Sequence, residues 1–230
     1  MTNPKGTKIS RRNDNLIFYK WQEIDCVRTF PAQVRQTDAT KEAAKNFGKV
    51  SSRSKILRNL LAPLISDPKN KDMQVRLKKA LLKSLLSTSK TKTLDHPLLG
   101  FRFNQSSDLK AHLKFDLNIT EQAGGKINIE MPVTSPRDSI EAPAGTSMIE
   151  LHFIAVYFSF ENDRCFSMPG FVNIPYSNDL YPAQSVVLKA KSEASGIMVV
   201  AVALRFRNQR LTNNKEKYMP AEIVAVFDKR

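Results

Sequence analysis

The stretch Leu113-Lys114-Phe115-Asp116-Leu117-Asn118-Ile119 alternates apolar and polar residues one for one. A β-strand turns successive side chains to opposite faces, so this period of two predicts a half-buried strand with His112, Lys114, Asp116 and Asn118 on its wet side. Ile127, Ile129 and Met131 repeat the pattern after Gly124-Gly125, which reads as a turn between strands. Residues 148–160 and 197–206 are apolar on both faces, as central strands are. Further runs lie near 171–174, 184–190 and 222–228, and prolines at 132, 136, 143, 169, 175, 182 and 220 punctuate the segments. Short strands at this spacing predict an antiparallel β-sandwich, Ig-like or jelly-roll-like, over residues 94–230.

Before residue 94 the period changes. Leu16-Ile17-Phe18-Tyr19-Lys20-Trp21 and Ile24-Asp25-Cys26-Val27-Arg28-Thr29-Phe30 are rich in strand formers and predict a β-hairpin with Gln22-Glu23 as its turn. A lone hairpin is marginal in water, so it needs either this chain's sandwich or another subunit to pack on. Pro31 ends it, and Thr37 or Asp38 is the expected cap of a helix from about Ala39. Ala43, Phe47, Val50, Leu57, Leu61 and Leu64, with Ser54 in the gap, repeat at helical spacing and form its apolar stripe. Asp67-Pro68 reads as the cap and first position of a second helix reaching about Ser87, with Met73, Leu77, Leu81 and Leu85 as its apolar line. Residues 87–95 read as a polar linker. The expected class is therefore α+β: an N-terminal β-hairpin and two amphipathic helices within a basic region spanning residues 1–93, then the antiparallel sandwich.

Charge separates the same two parts. The chain of 230 residues carries a net charge of +14. Residues 1–100 hold 21 Lys/Arg against 8 Asp/Glu, whereas residues 101–230 hold 15 against 14. Confinement of the excess to one end suggests an acidic partner or a polyanion there. The cations fall on helical ridges opposite the apolar stripes: Lys41, Lys45, Lys49 and Arg53 on the first helix, Arg76, Lys79 and Lys83 on the second. Like charges at steps of four repel each other, and a bound anion relieves that. The aromatic residues Phe18, Tyr19, Trp21 and Phe30 of the hairpin either form its buried face or meet a partner.

The inventory for catalysis is thin. The three histidines, His96, His112 and His152, are scattered and read as structural. No nucleophile elbow, phosphate-cradling glycine loop, metal-ligand spacing or C-x-x-C motif occurs. Carboxylates at Asp108, Asp116, Glu130, Glu150, Glu161 and Asp163 form a pair only if folding unites them. Two distant cysteines, Cys26 and Cys165, argue against a disulfide scaffold. No apolar run reaches the roughly 18 residues a membrane helix needs, and the residues after Met1 are polar, so neither a span nor a secretion signal is expected. These readings point to a cytoplasmic protein that is not an enzyme, without cofactor, metal or small-molecule substrate.

Phe18-Tyr19-Lys20-Trp21, Val27-Arg28-Thr29, Val34-Arg35-Gln36-Thr37 and Phe47-Gly48-Lys49, with the later Gly100-Phe101-Arg102-Phe103-Asn104 and Pro220-Ala221-Glu222-Ile223-Val224, resemble a family of bacterial proteins of about this length, a domain of unknown function. The resemblance carries no catalytic residues. It implies a cytoplasmic or prophage-like intracellular protein. The functional expectation is a structural or assembly protein that contacts neighbouring subunits, as a homo-oligomer or larger assembly, or meets a polyanion through its basic front. The alternative is nucleic-acid binding through the ridges; an acidic protein is the other candidate partner.

Overall fold

Residues 12–13, 16–29, 36–87, 95–189, 195–208 and 216–229 are described in the computed structural model of the chain. The basic arm up to residue 11, Phe30 with Pro31 at the hairpin's end, and residues 88–94 of the linker lie outside the described residues. The fold is α+β, with an N-terminal hairpin, helices and antiparallel sheets. The chain divides into two compact units, residues 1–44 and 45–230.

In the first unit, β1 (Arg12–Asn13), β2 (Leu16–Trp21) and β3 (Ile24–Thr29) form an antiparallel sheet in the order β1-β2-β3. Trp21 pairs with Ile24, so Gln22 and Glu23 are the turn, as the strand-former pattern predicts. Both have positive φ, 47° and 66°. This mirror-image turn follows the right-handed twist of the flanking strands, but it is a conformation that side chains other than Gly, Asn and Asp rarely adopt.

The second unit contains α2 (Lys71–Leu86), α3 (Leu109–His112), β4 (Asn118–Gln122), β5 (Lys126–Met131), α4 (Pro136–Ser139), β6 (Thr146–Phe158), β7 (Cys165–Pro175), β8 (Gln184–Leu188), β9 (Ile197–Asn208) and β10 (Ala221–Asp228). It also holds most of α1 (Asp38–Leu60), capped by the Thr37 hydroxyl, which accepts the Thr40 amide at 3.2 Å. Four strands form one sheet in the order β10-β9-β6-β7, and three form another in the order β4-β5-β8, with every pairing antiparallel. β6 and β9 are the central pair, as their two-faced apolar sequence predicts.

Alternation along β6 and β9 feeds two cores. Leu151, Phe153, Val202 and Leu204 face the three-stranded sheet, where Ile127, Ile129 and Met131 meet them. Ile154, Val156, Val199 and Ala201 face the other way, onto Val50, Leu57, Leu61, Met73, Leu77 and Leu81 of the two helices. The unit therefore has three layers: helices, four-stranded sheet, three-stranded sheet. The division expected at 93/94 is corrected by this packing. The helices, with Leu98, Phe101 and Phe103, cover one face of the large sheet and share a core with it, because the sheet's helix-side residues are apolar.

Three local expectations are also corrected. Strand β4 starts at Asn118; Leu113 instead bridges Ile140, and the Lys114 amide donates to Ser139 at 2.8 Å. His112 ends the short helix α3 and is buried, its ring nitrogens 2.8 and 3.0 Å from the carbonyl oxygens of Glu141 and Lys217. Helix α2 begins three residues later than Asp67-Pro68 suggests, because Asn70 caps it by accepting the Met73 amide at 2.9 Å.

Candidate partner and anion surfaces

The hairpin is built from strand formers on both faces. Its register sets Ile17, Tyr19, Trp21, Ile24 and Cys26 on one face, with Leu16, Phe18 and Val27 on the other. A sheet with two apolar faces belongs in a core. Yet no described residue of the first unit is buried. Trp21 and Ile24, directly paired, are each 66% exposed, and Leu16, Tyr19 and Val27 are exposed too. On the aromatic face the Arg28 guanidinium lies 5.7 Å from the Tyr19 ring centroid. Of the expected contact residues, Tyr19 and Trp21 are presented, Phe18 is half-buried, and Phe30 lies outside the described residues. Ile24 and Val27 were missed. Their signal was present, since the return strand's apolar residues fall on both faces as well.

The basic residues part company. Arg53 is 8% exposed and donates to the Asn162 carbonyl at 2.7 Å and to Asp163 Oδ1 at 2.9 Å. It ties α1 to the loop between β6 and β7, so its place on a free ridge is corrected. Lys49 stands 3.8 Å from Glu161 in the same loop, and Lys41 pairs with Asp38 one turn back in the helix. Lys45 is exposed. Helical spacing put these four on one line, but the β6–β7 loop, distant in sequence, claims the two nearest the sheet.

Arg76, Lys79 and Lys83 do come together. With Arg102, Gln105, Phe101 and Asp95 they line a groove of about 720 Å3. Arg76 lies over the Phe101 ring, 5.1 Å from its centroid, and donates to the Arg102 carbonyl at 2.9 Å. Burial lowers its pKa from the ordinary arginine value, opposed by the Asp72 carboxylate. Its Nε has no hydrogen-bond acceptor among the described residues, which leaves a fixed donor unspent. Lys79 and Lys83 are exposed. Arg102, which the sequence reading did not select, is matched by Asp108 at 3.0 Å and Glu222 at 3.9 Å. The net positive charge of the groove therefore comes from Arg76, Lys79 and Lys83.

One buried trio has the residue types of a catalytic triad. His96 Nε2 lies 3.2 Å from Ser84 Oγ and 3.6 Å from Asp228 Oδ2. The geometry does not fit the chemistry. His96 Nδ1 accepts the Leu98 amide at 3.2 Å, so in the neutral ring the proton sits on Nε2 and that nitrogen cannot take one from the serine. Serine and aspartate also share one nitrogen, where a triad uses both. His152 Nε2 meets Glu150 at 3.2 Å, and Arg207 holds the other oxygen of that carboxylate. Among the described residues no group of three or more His, Cys, Asp or Glu is placed to hold a metal ion, and no helix is long and apolar enough to cross a membrane. Neither a protein-family model, nor a curated protein, nor a solved structure matches this chain.

Proposed function

We infer that the chain is a non-enzymatic assembly protein whose N-terminal hairpin packs against a neighbouring subunit, a second copy of the same chain. The observation that carries this is the exposure of Trp21, Ile24 and Val27 on a hydrogen-bonded sheet none of whose described side chains, from Leu16 to Thr29, is buried. Leaving large apolar side chains in water forgoes on the order of 1.5–3 kcal/mol for each one that a partner would cover. The Gln22-Glu23 turn adds cost, so the sheet holds its register best when something packs on it. The expected result is a multimer of the full chain at micromolar concentration in size-exclusion chromatography with light scattering. Trp21→Ser with Ile24→Ser should shift it to the monomer mass and leave the circular dichroism spectrum of the sheets unchanged. A wild-type chain that runs as a monomer throughout that range would sink the reading.

The groove of Arg76, Lys79 and Lys83 favours a second reading, nucleic-acid or other polyanion binding. Neutralising phosphates releases counterions, at about 0.9 in the slope of log K against log salt for each duplex phosphate and about 0.7 for a single strand. The three cations therefore predict a slope of roughly −2 to −3 for a labelled DNA oligonucleotide. Lys79→Glu with Lys83→Glu should weaken that binding by an order of magnitude or more, while Lys45→Glu should change it little. Equal losses from Lys45→Glu and the groove variant would mean diffuse attraction rather than a site.

A further inference from the structure

The two sheets of the second unit differ at their two sides. On one side β7 and β8 run next to each other. On the other side stand β4 and β10, the outer strands of their sheets; residues 100–103 hydrogen-bond to β10 along Ala221–Ile223 and leave the part from Val224 onward facing β4. Between these edges lies a cleft of about 480 Å3. Phe115 and Leu117 line it from the chain entering β4, Ile119 from β4 itself, and Val224 and Ala225 from β10. All five are only partly buried, although they pack against the core between the sheets. An ion pair between Lys229 and Glu121, at the ends of these same strands, ties the two edges together.

Two features say what does and does not belong there. The register of β10 against β9 shifts between Ile223 and Ala225, so Val224 is a bulge on the edge strand. A bulge interrupts the row of amides and carbonyls that an added strand would need, and bulges gather beside binding sites. The occupant is therefore not a β-strand. The second feature is Glu222, which lines the cleft and is 8% exposed. Its Oε2 accepts no hydrogen bond from the described residues. Arg102 Nε, at 3.9 Å, is too distant to donate, because Asp108 holds that guanidinium at 3.0 Å on its other nitrogen. Burial raises the Glu222 pKa, with Arg102 and Lys110 opposing and Asp108 reinforcing. A buried acceptor without a donor is rare, and beside the apolar patch of Phe115, Leu117, Ile119, Val224 and Ala225, in a cleft that Lys110, Asp116 and Asn118 also line, it marks where a ligand's polar atom goes.

We propose that this cleft binds a neutral, apolar small molecule that donates one N–H or O–H hydrogen bond to Glu222. The surrounding charges select neutrality. Lys110 and Arg102 repel a cation, and Asp116 and Glu222 repel an anion. The volume lies within the range of ligand pockets and suits a molecule of two or three rings.

N-phenyl-1-naphthylamine tests this directly, being neutral, apolar, equipped with one N–H and fluorescent only out of water. Titration of the full chain should saturate at one dye per chain. Leu117→Trp fills the cleft and should abolish the signal. Glu222→Leu should weaken binding about tenfold, and Glu222→Gln, which keeps an acceptor, about threefold or less. The N-methyl analogue of the dye lacks the donor. It should bind the wild type about tenfold more weakly than the parent dye, but bind Glu222→Leu as well as the parent does. That crossover reports the hydrogen bond itself rather than the stability of a variant. Binding that survives Leu117→Trp, an N-methyl analogue as tight as its parent on the wild type, or no saturable signal up to the dye's solubility limit overturns the proposal. So does loss of the signal in Trp21→Ser with Ile24→Ser, which would place the dye on the hairpin.

Discussion

A chain beginning at residue 95 is expected to show no cooperative melt, whereas one beginning at residue 45 is expected to melt in a single transition. Sequence periodicity alone argues the opposite for the first, because residues 94–230 read as a complete sandwich. The packing decides it. Val50, Leu57, Leu61, Leu64, Ile65, Met73, Leu77 and Leu81 are buried against the helix-side face of the large sheet. At about 1.5–3 kcal/mol for each large side chain, losing these eight contributions exceeds about 10 kcal/mol, comparable to the entire stability of a domain. The sheet would also be left with an apolar face of Ile154, Val156, Phe158, Val199 and Ile223 in water. Thermal scans by far-ultraviolet circular dichroism separate the outcomes. A sharp transition for the shorter chain would show that the helices are an accessory rather than a layer of the core.

Arg53→Glu is expected to lower the melting temperature by several degrees, up to about 10 °C, and Lys45→Glu to leave it within about 2 °C, although both residues belong to the same helical ridge. Arg53 is buried and satisfies a main-chain carbonyl at Asn162 as well as Asp163. Reversing its charge sets a carboxylate against that carbonyl and against a second carboxylate. Asp163 is fully exposed, so the loss rests on the buried guanidinium's hydrogen bond to the Asn162 carbonyl, about 1.5–3 kcal/mol for a charged donor, and in a protein of this size each kcal/mol moves the midpoint by about 2–4 °C. Differential scanning calorimetry on the two variants gives the comparison. Equal and small shifts would return Arg53 to the solvated face.

The contrast between these two residues shows what a sequence can and cannot carry. Strand and helix periods are local, so the hairpin turn at Gln22-Glu23, the central strands β6 and β9 and the apolar lines of both helices were legible. What a helix packs on is not local. Val50 and Leu57 read as a stripe facing a partner surface, but nothing in the first hundred residues says that the surface is the sheet of the same chain. Phe47 fits the stripe by spacing and is 59% exposed, because the buried part of α1 begins only at Val50. The same limit divided the candidate site. Arg76, Lys79 and Lys83 share a groove because residues 95–105 return beside α2 and supply Phe101 and Arg102. Arg53 and Lys49 meet carboxylates more than a hundred residues away in sequence. His112 was misread for a simpler reason. Alternation through Leu113 looks like a strand, but Asp108 accepts the Lys110 amide at 3.0 Å and starts a turn of helix just before it.

The large sheet works as a partition with apolar residues on both sides, and this changes how its register is fixed. In a half-exposed strand a slip of one residue drives polar groups inward, so polarity alone locks the pairing. Over Ile197 to Leu204 β9 lacks that lock, since the run is apolar without interruption, and only the exposed Arg205 and Arg207 at its end retain it. Size replaces it. Ala201 and Ala203 face the helices, where small residues let a helix lie close, while Val202, Leu204 and Phe206 face the opposite sheet. A slip would press leucine and phenylalanine into the helical layer and leave alanine-sized voids across the partition. Along the apolar run the alignment is thus encoded in volume rather than in hydrophobicity. A substitution pattern that preserves only apolar character along this strand would discard the information that aligns it.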